Sequence, residues 1–291
     1  MNTIIKTLAL SSLFIVSAAN AQSIFAVKGF NHIESVASDG KYIYAADIGK
    51  ELNPTARDGD GKIFKLDLKG NIIDSTFSKE ILNAPKGITI SNGILFAADI
   101  YRLVALDVKT GAKLYEINFA DGISFLNDIT IVDKNTVYIS ATDKSKIYKV
   151  NLVTKTYSEL VIDKTISSTN GLYFDKKSNR LYANGMGSDN KPNGIVGYVD
   201  LSNNKFTQLA IIEGLFDGIY LQGDKLYTSN WVAFEKKGII QIIDIKTNQV
   251  SEVKLNEPIA GPADFTILNN QIIVPEMMTG TIQFINLKKI N

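Results

Sequence analysis

The chain of 291 residues has no cysteine, one histidine and one tryptophan, and each shortage narrows what it can be. Without cysteine there is no disulfide framework and no lipid-modified thiol, so a core large enough to stand alone must hold the fold. With His32 as the single imidazole and no thiolate, the usual ligands of a zinc site are missing. Any bound metal must then be a hard cation held by oxygen. Positive and negative side chains nearly cancel (Lys plus Arg 31, Asp plus Glu 30) and no basic block occurs, which speaks against a nucleic-acid partner or a polybasic membrane patch. No apolar run approaches the roughly 20 residues of a spanning helix, and no Pro/Ser-rich or charged linker divides the chain. Helical periodicity is absent beyond the N-terminus.

The first residues have the layout of a secretory leader. Lys6 lies in a short polar start, Leu8 to Ala18 is apolar, and Ala19-Asn20-Ala21 forms an A-x-A cleavage pattern before Gln22. The apolar run, about eleven residues, is too short for a membrane anchor. The expectation is a cleaved signal peptide over 1–21, a single domain over 22–291, and a periplasmic or extracellular product.

What is present is a repeat. Six segments align: IESVASDGKYIYAAD, PKGITISNGILFAAD, LNDITIVDKNTVYISAT, TNGLYFDKKSNRLYANG, FDGIYLQGDKLYTSN and PADFTILNNQIIVPE. Each has a short alternating strand, a turn of Asp, Asn and Gly, and a second strand with an aliphatic or aromatic centre. Two further strands follow in most units, as in GKIFKLDLKG and YRLVALDVKTG, giving four antiparallel strands per unit. Radial repetition of such sheets makes an all-β, six-bladed propeller. The last unit supplies three strands, ending at TIQFINL, and SIFAVKG near the N-terminus reads as its missing outer strand, so the ring closes by joining the two ends. An open solenoid is the alternative, but polar capping repeats are not seen.

One column of the repeat stands apart. At the start of each innermost strand lie, in order, Glu34, Lys86, Asn127, Asn170, Asp217 and Ala263. Innermost strands line the channel, so these six residues form a ring. Four carry oxygen donors, two carboxylates and two carboxamides, a set suited to one calcium ion rather than to zinc. Asn and Asp before Gly are also ordinary turn residues, which is the competing reading of each taken singly.

The repeat and this column resemble the regucalcin/gluconolactonase family, which includes diisopropylfluorophosphatase and the luciferin-regenerating enzymes. The resemblance implies a divalent cation, usually calcium, in the channel, held by Glu34 in HIESVASDG, Asn127 in FLNDITI, Asn170 in STNGLYF and Asp217 in LFDGIYL. It also implies that Asp217 is the catalytic nucleophile or base of a hydrolase acting on a small-molecule lactone, ester or organophosphate. Two departures matter. Sugar-lactone members carry an Arg two residues before the first Asn, where this chain has Phe125, and Lys86 brings a cation into the ligand column. Both favour the rival class, a non-catalytic propeller that binds a protein partner. A metal-free propeller enzyme of the strictosidine-synthase type is disfavoured by the intact four-donor set.

Long loops between second and third strands, Ile48 to Gly61, Gly185 to Asn193 and Trp231 to Lys237, should surround the ring on the same face. They bring Glu51, Arg57, Met186, Trp231 and Phe234 towards the channel mouth, with Lys86, Phe125 and Trp231 as the expected substrate-pocket residues. Arg57-Asp58-Gly59-Asp60-Gly61 lacks the spaced ligands of an EF-hand and reads as a turn. Asp47 and Asp99, at the ends of second strands, are expected to bond local backbone.

Overall fold

The computed structural model describes residues 19–120 and 122–287. Most of the expected leader therefore lies outside the described residues. Twenty-four strands, β1–β24 in chain order, form six blades of four. The innermost strands are β2 (Ile33–Ser38), β6 (Pro85–Ser91), β10 (Leu126–Asp133), β14 (Thr169–Asp175), β18 (Phe216–Gln222) and β22 (Thr266–Leu268). Each pairs antiparallel with the next strand in sequence, as when β2 meets β3 (Tyr42–Asp47) from Ile33↔Asp47 to Ser38↔Ile43. Hairpin turns are tight because asparagines take left-handed angles there, for example Asn92 (φ 51°), Asn179 (φ 54°) and Asn269 (φ 50°).

The ring closes as expected. β1 (Ala19–Lys28) pairs antiparallel with β24 (Thr281–Leu287), from Ala21↔Leu287 to Lys28↔Thr281, and supplies the outer strand of the sixth blade. Phe25 stacks on Phe284 with ring centroids 4.3 Å apart, so apolar packing as well as backbone pairing holds the two chain ends together. Ala19 and Asn20 add two parallel pairs to Val253 and Lys254 of β21 (Val250–Lys254), linking the outer edges of the fifth and sixth blades. The core lies between blades. Phe96, Leu103 and Ala105 of the second pack on Leu126, Ile129 and Ile139 of the third, all buried. No helix among the described residues is long and apolar enough to cross a membrane.

The feature that builds the site is a recurrent irregularity. In five blades the innermost pair slips register at the start of the strand: between Ile33 and Ser35, Pro85 and Ile88, Leu126 and Ile129, Thr169 and Leu172, and Phe216 and Ile219. The first ring residue of each interval is Glu34, Lys86, Asn127, Asn170 or Asp217. A bulge frees one residue from the ladder and re-aims its side chain, so the column found in the repeat is also the bulged column.

Candidate metal centre in the channel

All six ring residues are buried. Asn127 is oriented by its neighbours. The Thr142 hydroxyl donates to Thr169 O (2.8 Å) and so must accept from Asn127 Nδ2 (3.1 Å), which leaves the carboxamide oxygen as the free end. Asp217 is held at one oxygen: Trp231 Nε1 donates to Oδ2 at 3.0 Å.

Six buried side-chain polar atoms among the described residues lack a hydrogen-bond partner. Four of them are Glu34 Oε2, Asn127 Oδ1, Asn170 Oδ1 and Asp217 Oδ1. Buried polar atoms are almost always paired, because leaving one unpaired costs about 1–3 kcal/mol, and more when it is charged. Four orphaned oxygens from four blades of one ring are the donor set a hard divalent cation satisfies. No group of three His, Cys, Asp or Glu side chains among the described residues is placed to hold a metal ion by itself, and two of the four donors here are carboxamides.

The electrostatics point the same way. Burial pushes the Glu34 carboxyl well above its usual range, with the charge of Asp217 adding to the effect and Lys86 opposing it. Burial raises Asp217 to about 7, although the Trp231 hydrogen bond works against the rise. Without a cation burial disfavours the ionised form of both acids; a bound cation favours it.

A second tier, absent from the expectations above, lies one residue further along each strand: Ser35, Gly87, Asp128, Gly171, Gly218 and Asp264. The glycines are steric. A Cβ on Gly87 would stand 2.6 Å from Asn127 O, and one on Gly171 2.3 Å from Asp217 O. Adjacent blades approach that closely in the channel, and the other three positions carry polar side chains. Asp128 accepts the backbone N–H groups of Ile129 and Leu172, each at 2.6 Å, while Asp264 accepts from Ser35 Oγ at 2.6 Å. Burial raises Asp128 to about 6 and lifts Asp264 well above the ordinary range. The channel therefore buries four carboxyl groups beside one ammonium. The aligned repeat did contain this column, but Asp128 and Asp264 were hidden by the three glycines sharing it.

Lys86 makes no ion pair with Glu34. Its Nζ donates to Pro54 O and Ala84 O, both at 2.9 Å, which ties the Ile48–Gly61 loop to the ring. Nζ also lies 5.0 Å from the Phe125 ring centroid. Burial lowers its pKa to about 8, with Glu34 the main opposing influence. Trp231 is buried behind Asp217 and meets Phe234 edge-on at 5.7 Å, so Phe234 rather than the indole faces solvent. Phe125, Met186 and Phe234 line a cavity of about 310 Å³ on the ring's face. Glu51 is exposed, and Arg57 stacks over Tyr101 at 4.8 Å. Asp47 and Asp99 accept backbone N–H groups from Asn31, His32, Asn83 and Ala84, the structural role their positions implied. His32 Nδ1 lies 3.0 Å from Met277 O.

No protein-family model and no curated protein sequence matches the chain. Solved structures share its architecture at low identity. Virginiamycin B lyase from Staphylococcus aureus superposes with a TM-score of 0.61 and 16% identity over 91% of this chain and 99% of that one. A catalytically inactive variant of that lyase with quinupristin gives a TM-score of 0.60 at 16% identity, with the same coverage. A nidogen/laminin complex gives 0.60 at 18% identity, over 76% of this chain and 79% of that one. Kuenenia stuttgartiensis hydrazine synthase gives 0.62 at 12% identity, over 86% and 75%. At such identities the likeness is one of fold, a six-bladed propeller.

Proposed function

We propose that the chain is an exported calcium-dependent hydrolase that opens a lactone, ester or organophosphate at the ring end of its channel. The observation that carries the proposal is the set of four unpartnered oxygens on Glu34, Asn127, Asn170 and Asp217. Residues that only shaped turns would spend those oxygens on local N–H groups, as Asp47 and Asp99 do. A cation bound by the four would act as a Lewis acid on the substrate's carbonyl or phosphoryl oxygen.

The chain's own part in the chemistry centres on Asp217. Trp231 fixes Oδ2 and leaves Oδ1 facing the channel without a partner. As a carboxylate, Asp217 either attacks the electrophilic centre or takes a proton from an attacking water. Glu34, Asn127 and Asn170 would supply the other oxygens for the cation, and Thr142 prevents the Asn127 carboxamide from flipping.

A calcium titration of the purified protein with thermal melting tests the binding step, and a screen of lactones, aryl esters and organophosphates tests turnover. Calcium should raise Tm and chelator reverse the gain. Asp217→Asn should fold and lose turnover by at least about a hundredfold. Single turnover in ¹⁸O water separates the two roles: water activated by Asp217 labels the product directly, whereas attack by Asp217 expels the leaving group and gives a covalent ester, and water cleaving that ester at the Asp217 carbonyl leaves ¹⁶O in the product and ¹⁸O in the Asp217 carboxylate. A Tm indifferent to calcium and chelator would remove the metal from the proposal.

A further inference from the structure

The cavity beside the ring is shaped for a narrower class of molecule than the reaction alone requires. Phe125, Ser168 and Leu215 each lie two residues before a ring member, Asn127, Asn170 and Asp217 respectively, and all three line the cavity. Met186 and Phe234 close it from two of the long loops. Phe234 is 50% exposed, a large apolar surface held at the cavity's edge. Large exposed apolar groups beside a concavity mark places where a ligand is received.

The charged residues that line this cavity are both acidic. Asp143 and Asp189 contribute carboxylates to the lining, and no lysine or arginine lines it. Asp143 is fixed in place, accepting from Ser124 N at 2.9 Å and Ser124 Oγ at 3.1 Å, with Lys144 Nζ 3.7 Å away. The nearest interior cation, Lys86, stands beside the Phe125 ring with two of its three protons committed to carbonyls, and it is not among the lining residues. An anionic substrate would meet two carboxylates in the lining and no lining cation. A polyhydroxylated one without an apolar group would pair hydroxyls only on the polar side formed by Thr142, Ser168 and Asn190, and would set others against Phe125, Met186, Leu215 and Phe234, at about 1–3 kcal/mol for each group left unpaired.

From this we infer that the site selects a neutral or cationic substrate carrying one aryl-sized apolar group, and rejects anionic and polyhydroxylated ones. A volume of about 310 Å³ accommodates a single ring system and its reacting bond rather than a polymer segment. The apolar group lies between Phe125, Leu215 and Phe234, of which Phe125 and Leu215 are two residues from the ring members Asn127 and Asp217. A basic substituent, where present, meets Asp143. The inference rests on the hydrolase reading for its reacting bond but not for its recognition, so binding can be tested apart from turnover.

The test measures binding of unreactive probes by ligand-observed NMR, in chelator and again in calcium. Benzamide, benzylamine, benzoate and gluconamide serve as neutral, cationic, anionic and polyhydroxylated representatives. In chelator, benzamide and benzylamine should bind and compete with each other, with benzoate and gluconamide at least tenfold weaker. Phe234→Ala should weaken benzamide about tenfold while leaving the calcium-dependent Tm gain intact. Asp143→Asn should weaken benzylamine selectively and narrow the gap to benzoate. Gluconamide or benzoate binding as well as benzamide would overturn the inference, as would unchanged benzamide affinity in Phe234→Ala. Loss of the calcium response with these preferences preserved would sink only the hydrolase reading.

Discussion

Trp231 donates its indole N–H to Asp217 Oδ2 at 3.0 Å, from a position in which the ring is only 4% exposed. The bond does two things. It stabilises the ionised carboxylate against the upward pull of burial, and it fixes which oxygen faces the channel. Removing it with Trp231→Phe should weaken calcium binding roughly 10- to 100-fold, the usual cost of losing a group that orients a ligand. The mutation should also raise the pKa of Asp217, so proton competition with calcium extends to higher pH. Calcium titrations at several pH values read both effects; a midpoint that stays put would reduce Trp231 to packing.

The pH dependence of stability follows from the channel acids, and its direction is unusual. In chelated protein, Asp128 titrates at about 6 and Asp217 at about 7, both raised mainly by burial. Between the ordinary carboxylate range and these values the folded state holds protons that the unfolded chain has released. Stability from these groups is therefore full at low pH and is lost as pH rises through about 6 and about 7. Melting in chelator should show Tm rising by several degrees as pH falls from 8 to 5, since about 1 kcal/mol moves Tm by roughly 2–4 °C at this size. Saturating calcium should invert the slope, because protons then compete with the bound cation. Parallel profiles with and without calcium would contradict the ring as its site.

The repeat was legible because alternation and turn chemistry recur in all six blades, and ring closure followed from the unpaired count of strands. The ring was legible because a bulge sits at the same place in five of the six units and breaks the apolar pattern there. Asp128 and Asp264 escaped notice for the opposite reason. Their column is half glycine, and glycine next to Asn or Asp reads as a turn, when the actual cause is the close approach of neighbouring blades. The bond from Trp231 to Asp217 joins the start of β18 to the residue just past the next strand, Lys225–Asn230, and Trp231 begins a loop without periodicity, so no pattern announced it. Lys86 was expected as a cation in the ligand column and a residue of the substrate pocket. Its ammonium instead meets two carbonyls, one of them on a loop whose path only the folded chain defines.

Closure of the ring by β1 gives a stability prediction independent of the metal. Phe25 stacks on Phe284, whose ring is fully buried, and the pairing of β1 covers an edge that β24 would otherwise expose. Phe25→Ala should cost about 2–3 kcal/mol, somewhat less than truncating a fully buried Phe. Calcium affinity should not change, because the mutation lies at the outer edge of the sixth blade. Denaturant unfolding and a calcium titration of the same variant check the two halves.

Lys86 offers the sharpest test of whether the ring is arranged around a cation. Its ammonium is fully buried in the ligand column, beside Glu34 and pointing two protons at carbonyl oxygens. In chelated protein that charge partly offsets four buried carboxyl groups, and in calcium-bound protein it repels the ion. At an effective dielectric of about 20, two unit charges several ångströms apart interact by a few kcal/mol, so the repulsion is worth at least a tenfold change in affinity. Lys86→Met keeps the length and removes the charge. Calcium should bind at least about tenfold tighter to the variant, and the Tm difference between calcium and chelator should widen because the chelated state has lost its internal cation. Loosening of the Ile48–Gly61 loop by itself would leave the affinity unchanged or weaker. Isothermal titration of both proteins at one pH and ionic strength separates these outcomes, and an unchanged or weaker affinity in Lys86→Met would assign Lys86 to holding the loop rather than to opposing an ion in the ring.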